Sequence, residues 1–277
     1  MTEIPTLDLN DGRAIPEIGL GTYAMTGDDG VEAIGAGIES GYRLLDTAVN
    51  YENEREVGRA IAESPIDRGD LFITSKIPGR HHGFDEAIAS TEESLARLGL
   101  DYLDLHLIHW PNPSVGKYVE TWEGLIELRR RGLVKSIGVS NFTAEMLTEL
   151  VEKTGVTPAV NQVELHPYFP QTELVAFHRS IGVQTESWSP LYRDQGLFDE
   201  APIAEAAAAH DVTPAQVVLR WHIEVGSIPI PKSANPERQR LNAAVFDFAL
   251  TPAEVAAISG LERGRMKDRD PLTHEEM

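Results

Sequence analysis

The chain has 277 residues, with 24 Lys and Arg against 44 Asp and Glu, a formal charge of −20. That balance argues against general binding to nucleic acid or anionic membranes, and no apolar run is long enough to cross a bilayer. The absence of cysteine excludes disulfides, thiolate metal sites and thiol catalysis; with an N-terminus that lacks the regions of a signal peptide, it suggests a cytoplasmic protein.

In chain order, the first predicted element is a hairpin from Thr6 to Ile15, turned by Asp11-Gly12. A rhythm of short apolar strand, loop and amphipathic helix follows. Glu17 to Leu20 leads to a helix over Asp28 to Ser40, Arg43 to Leu45 to Glu54–Glu63, and Leu71 to Thr74 to Phe84–Leu98. Leu103 to Ile108 precedes Tyr118–Arg131, and Val134 to Val139 precedes Ala144–Lys153. Ala159 to Val163 is paired with Thr172–Ser180, Val183 to Glu186 with Pro214–Glu224, and Ser227 to Ile230 with Pro236–Ala243. The alanine-rich stretch Ala204 to Ala209 reads as helix, and Thr251 with Glu254 spells a capping box for one more.

Alternating strands and helices imply a parallel sheet, and eight such units closing on themselves imply a (β/α)8 TIM barrel with an N-terminal hairpin and extra C-terminal helices. An open doubly wound sheet is the alternative. Against it, no Gly-x-Gly-x-x-Gly turn follows a predicted strand, since Gly19-Leu20-Gly21 lacks the third glycine. No linker interrupts the rhythm, so residues 1–277 read as a single domain.

Sites on such barrels gather at the C-terminal ends of the strands. Asp46, Lys76 and His109 stand at those positions after the second, third and fourth strands, and Tyr51 lies in the loop after the second. Singly, each has an ordinary structural explanation: a helix cap, a solvated amine, a core imidazole, a ring on the rim. Together they form a coherent chemistry. A phenol titrates near pKa about 10, and an adjacent ammonium lowers that value. A buried carboxylate behind the lysine keeps the ammonium charged, and His109 can donate to the same substrate oxygen. The set suits a carbonyl that gains negative charge as hydride arrives, and the hydride must come from a cofactor.

The run Gly41-Tyr42-Arg43-Leu44-Leu45-Asp46-Thr47-Ala48, then Tyr51, Lys76 and His109-Trp110-Pro111, resembles the aldo-keto reductases. So do Gly138-Val139-Ser140-Asn141-Phe142, Asn161-Gln162-Val163-Glu164-Leu165-His166-Pro167 and Ile230-Pro231-Lys232-Ser233. The likeness runs in order from Leu7 to about Leu261 and is nearest to the short prokaryotic branch that includes 2,5-diketo-D-gluconic acid reductases. It implies a barrel that uses NADPH to reduce a small-molecule carbonyl, with no metal, and a monomer.

By that resemblance Tyr51 is the general acid, Lys76 and Asp46 tune it, and His109 orients the carbonyl. Ser140, Asn141 and Gln162 are expected to hold the nicotinamide carboxamide, with Trp188 stacking on the ring and Gly21, Thr22, Ser189 and Leu191 also at the cofactor. Lys232, Ser233 and Arg238, at a helix N-terminus, form the expected 2′-phosphate clamp, and Asn242 matches the adenine contact. Tyr23 and Trp110 would line the substrate pocket. Three departures stand out: Tyr23 where many relatives have Trp, Ile77-Pro78-Gly79 in place of a tryptophan after the lysine, and Leu241 where Glu commonly precedes the asparagine. The segment Tyr192 to Glu200 and the tail after Leu261 are short, which predicts an open pocket.

Three other readings compete. A metal hydrolase would want converging ligands, but His106 and His109 at i, i+3 in a strand face opposite ways. A glycosidase could be sought in Asp46 and Glu186, except that Lys76 beside Asp46 would suppress a raised acid pKa. A non-catalytic NADPH-binding regulatory subunit needs no tuned phenol.

Overall fold

The computed structural model describes residues 3–266 and 269–277. A two-stranded antiparallel hairpin, β1 (Thr6–Asp8) and β2 (Ala14–Pro16), comes first. The barrel strands are β3 (Gly19–Gly21), β4 (Leu44–Asp46), β5 (Phe72–Ile77), β6 (Leu103–Ile108), β7 (Val134–Ser140), β8 (Val160–Glu164), β9 (Gln184–Trp188) and β10 (Ser227–Pro229). These eight lie in sequence order in one sheet, every neighbouring pair parallel. The ring is drawn shut where the Gly21 amide donates to the Pro231 carbonyl at 3.0 Å.

Around the sheet run α1 (Gly27–Glu39), α2 (Glu54–Glu63), α3 (Phe84–Leu98), α4 (Tyr118–Arg131), α5 (Ala144–Thr154) and α6 (Thr172–Ser180). They are followed by α7 (Ala201–His210), α8 (Pro214–Glu224), α9 (Pro236–Ala243) and α10 (Pro252–Ser259). The expected capping box forms at α10, where the Thr251 side chain accepts from the Glu254 amide and the Glu254 carboxylate accepts from the Thr251 amide. Among the described residues no helix is long and apolar enough to cross a membrane.

The strands are buried on both faces, as parallel strands sandwiched between a filled interior and a helical shell must be. β6 is all apolar or buried apart from Asp104, which is partly exposed and held by Arg68 at 2.7 Å. Outside the barrel, Ile34, Leu45, Ile73, Trp122, Leu125 and Ile137 belong to one large core shared with the helices. Inside it, Leu44, Phe72, Leu105, Leu107, Val160 and Ile228 pack with Leu9 and Ile15 of the hairpin segment. The hairpin therefore seals the N-terminal end, leaving the C-terminal end for chemistry.

Differences from the expected boundaries are small but physical. β4 extends through Asp46, and β5 runs past Lys76 to Ile77, because buried hydrogen-bonded partners let charged side chains sit within the strands. The tail departs further. Gly79 and Asn112 bond to the backbone of Glu276, and the Asn50 side chain donates to the Met277 carbonyl at 3.1 Å. Gly79 permits this approach, since a side chain there would collide with both Asn112 and the Glu276 carbonyl. Residues 274–277 lie across part of the C-terminal end of the barrel, so the expected open pocket is corrected to a partly covered one.

Candidate active site

Asp46 ends β4, Lys76 lies near the end of β5 and His109 follows β6, so three adjacent strands deliver three polar groups to one rim. The Lys76 ammonium is fully buried and its three N–H groups find three oxygens: Asp46 Oδ1 at 2.6 Å, the Thr47 carbonyl at 2.9 Å and the Tyr51 hydroxyl at 3.4 Å. The Tyr51 ring is edge-on to His109, with centroids 5.9 Å apart, so all four expected residues converge.

Electrostatics correct one expectation. Burial pushes the Tyr51 phenol up, the Lys76 charge pulls it down, and Asp46 pushes it up again; the net direction is upward. Burial lowers Lys76, but Asp46 and Tyr51 more than restore it, and its net direction is also upward. The residue pair therefore holds a charged amine beside a phenol that keeps its proton, which is the form an acid catalyst requires.

A second layer lies behind the lysine. The Gln162 amide nitrogen donates to Asp46 Oδ2 at 2.9 Å and to Glu186 Oε2 at 3.0 Å. Burial, then the Asp46 charge, raise the Glu186 carboxyl to about 8. The raised acid that Lys76 was expected to suppress thus appears on Glu186, but that group is completely enclosed and offers no reachable acid for a glycosidase.

The expected cofactor residues form a connected set. Ser140 donates to the Gln162 carbonyl at 2.7 Å, and Asn141 donates to Ser140 and to the His109 carbonyl, both at 3.0 Å. Trp188 donates its indole N–H to Asn141 Oδ1 at 2.7 Å. Asn141 and Ser189 hold positive φ angles of 64° and 49°, left-handed backbone that side-chain-bearing residues rarely adopt and that clusters at functional sites. Thr22 bonds to the Asp46 carbonyl through both backbone and hydroxyl, bringing Gly21 and Thr22 to the same rim, while Leu191 is partly buried.

Farther out, Arg238 donates to the Ser233 hydroxyl at 3.3 Å at the start of α9. Lys232 and Arg238 are exposed, and neither makes an ion pair among the described residues. In a chain of charge −20, two cations without an ion-pair partner among the described residues, flanking a buried serine, fit an anionic group. Asn242 is buried on the same helix.

At the mouth, Tyr23 is 59% exposed and edge-on to Tyr51 at 5.2 Å, while Trp110 is buried. Sequence reasoning missed what lies over Trp110 and His109. His274 packs on Trp110 with centroids 4.2 Å apart, and Glu276 Oε1 lies 3.0 Å from His109 Nδ1. Burial works to raise the Glu276 carboxyl, but contact with His109 outweighs it and holds the group below its usual range. No local pattern marks these tail residues as part of a site.

The model of the Aldo/keto reductase family matches residues 17–263. The chain belongs to that family. It is an oxidoreductase that reduces carbonyl groups with NADPH. It is 64% identical over 277 residues, all of both chains, to 2,5-diketo-D-gluconic acid reductase B of Corynebacterium sp. (strain SHS752001). An aldo/keto reductase structure from Brucella melitensis is 44% identical with a TM-score of 0.90, covering 94% of this chain and 100% of that one. A Bombyx mori aldo-keto reductase solved in complex with NADP is 38% identical with a TM-score of 0.89, covering 95% and 94%. Nothing supports either hydrolase or a non-catalytic regulatory subunit.

Proposed function

We propose that Tyr51 is the general acid in the reduction of small aldehydes and ketones, fixed by Lys76 and Asp46, with His109 orienting the carbonyl. The observation that carries this reading is the buried Asp46–Lys76–Tyr51 chain at the C-terminal end of the strands. NADPH supplies the hydride when bound. Lys76 stabilises negative charge as the phenolic proton leaves Tyr51 for the carbonyl oxygen, and Asp46 prevents the ammonium from losing its own proton.

Gln162, Asn141 and Ser140 would hold the carboxamide, Trp188 would lie against the ring, and Gly21, Thr22, Ser189 and Leu191 would complete that wall. Lys232, Ser233 and Arg238 would clamp the 2′-phosphate, with Asn242 at the adenine. The two cations without an ion-pair partner among the described residues support the clamp, because a phosphate would give both an anion to pair with. Tyr23 and Trp110 make an aromatic mouth suited to small dicarbonyls, aromatic aldehydes or keto-sugars; the diketogluconate reductase likeness favours keto-sugars. The same proposal treats residues 1–277 as one domain acting as a cytoplasmic monomer, in keeping with the unbroken strand–helix order and the lack of cysteine.

Tyr51→Phe tests the central role. The variant is expected to bind NADPH as before and to lose turnover of methylglyoxal by roughly 1,000-fold, followed by NADPH absorbance. Turnover within tenfold of the parent would remove Tyr51 from the mechanism.

A further inference from the structure

The β8–β9 register sets Gln162 opposite Glu186, and the β7–β8 register sets Ser140 opposite Gln162. One level of three adjacent strands therefore carries Ser140, Gln162 and Glu186 in a row. A primary amide nitrogen has two hydrogens. Here one goes to Asp46 Oδ2 at 2.9 Å and the other to Glu186 Oε2 at 3.0 Å, so both are committed to carboxyl groups. Turning the amide over would aim its oxygen at the Asp46 carboxylate, the ion-pair partner of Lys76, and forfeit that bond. Gln162 Oε1 is thus held on the side away from the carboxyls; it has no hydrogen bond among the described residues and is not sealed from solvent.

The neighbouring groups have the same polarity. Both Asn141 amide hydrogens are used, on the His109 carbonyl and on Ser140, and the Ser140 hydrogen is used on the Gln162 carbonyl. What remains to offer a ligand at this wall is acceptor capacity.

We propose that Glu186 is a positioning residue that locks the Gln162 amide with its oxygen outward, so that the nicotinamide carboxamide is recognised through its NH2 group. This rests on the reading that Gln162 faces the carboxamide. Asp46 alone supplies only one of the two anchors, and an amide held at one point can rotate about it. Glu186 keeps its proton at neutral pH, yet a neutral carboxyl still accepts through its carbonyl oxygen, so the anchor does not require a second negative charge beside Asp46.

The test compares NADP+ with 3-acetylpyridine adenine dinucleotide phosphate, in which a methyl ketone replaces the carboxamide and no N–H remains. Dissociation constants come from quenching of tryptophan fluorescence, without turnover. The parent is expected to favour NADP+ by about tenfold, the order of one hydrogen bond. Glu186→Gln, which can still accept through its amide oxygen, should keep that preference. Glu186→Met, which cannot, should bring it below about threefold. A preference kept in Glu186→Met, or both ligands weakened equally with the ratio unchanged, would overturn the role of Glu186. No preference in the parent would instead overturn the Gln162–carboxamide reading. Should Glu186→Met not fold, the parent alone decides: by nitrogen-15 NMR the two Gln162 side-chain hydrogens should exchange slowly with solvent, and fast exchange would overturn the lock.

Discussion

Lys76 and Asp46 meet at 2.6 Å with side chains 0% and 5% exposed. A charge so enclosed is tolerable only because its partner is present, so removing one member costs far more than removing both. Lys76→Met should lower unfolding free energy by about 3–5 kcal/mol. The double variant Asp46→Asn with Lys76→Met should recover more than half of that loss. Urea unfolding of both singles and the double checks it, and simple additivity would contradict the coupling.

Arg238→Ala should raise the Michaelis constant for NADPH by roughly tenfold or more, the scale of a charge-assisted hydrogen bond to phosphate. The constant for NADH, which has no 2′-phosphate, should change less than twofold. Steady-state kinetics with each cofactor measures both, and parallel changes would take Arg238 out of the clamp.

Glu276 places a carboxylate on the imidazole expected to meet the substrate carbonyl. Its charge should repel a second carboxylate brought to the same mouth by about 1 kcal/mol. Glu276→Gln is therefore expected to improve kcat/KM for a keto acid by roughly fivefold, the equivalent of that energy. A neutral dicarbonyl should change less than twofold. Equal responses from both substrates would show that the tail does not face the reacting molecule.

Glu186 makes stability depend on pH with a definite sign. Its folded value is raised to about 8 from an ordinary 4.5, so between those limits the folded chain holds a proton that the unfolded chain releases. Stability then falls as pH rises through that window and levels off above it. Glu186→Gln removes the dependence, so its stability relative to the parent should improve by roughly 3 kcal/mol from pH 5 to pH 8. Denaturant titrations across that range would read the trend, and a constant difference would show that Glu186 ionises normally.

Much of the barrel was legible because its signals are short-range. The helix over Phe84–Leu98 and the strand Leu103–Ile108 appear with their expected limits, and Thr251 caps Glu254 as its three-residue spacing implies. Strand ends also announced Asp46 and His109, since an apolar run ending on a polar residue marks where a buried strand meets the rim. Periodicity and capping act within a few residues and can be read directly from the chain.

The sequence by itself thus determined the alternating architecture and the residues that gather at one end of it. Tertiary structure alone decided three things: the upward balance at Tyr51, the double anchoring of Gln162 and the tail over the mouth. Each depends on groups distant in sequence, 116 residues for Gln162 to Asp46 and 164 for Asn112 to Glu276. Burial and Coulomb terms follow from spatial proximity, which only the closed barrel creates.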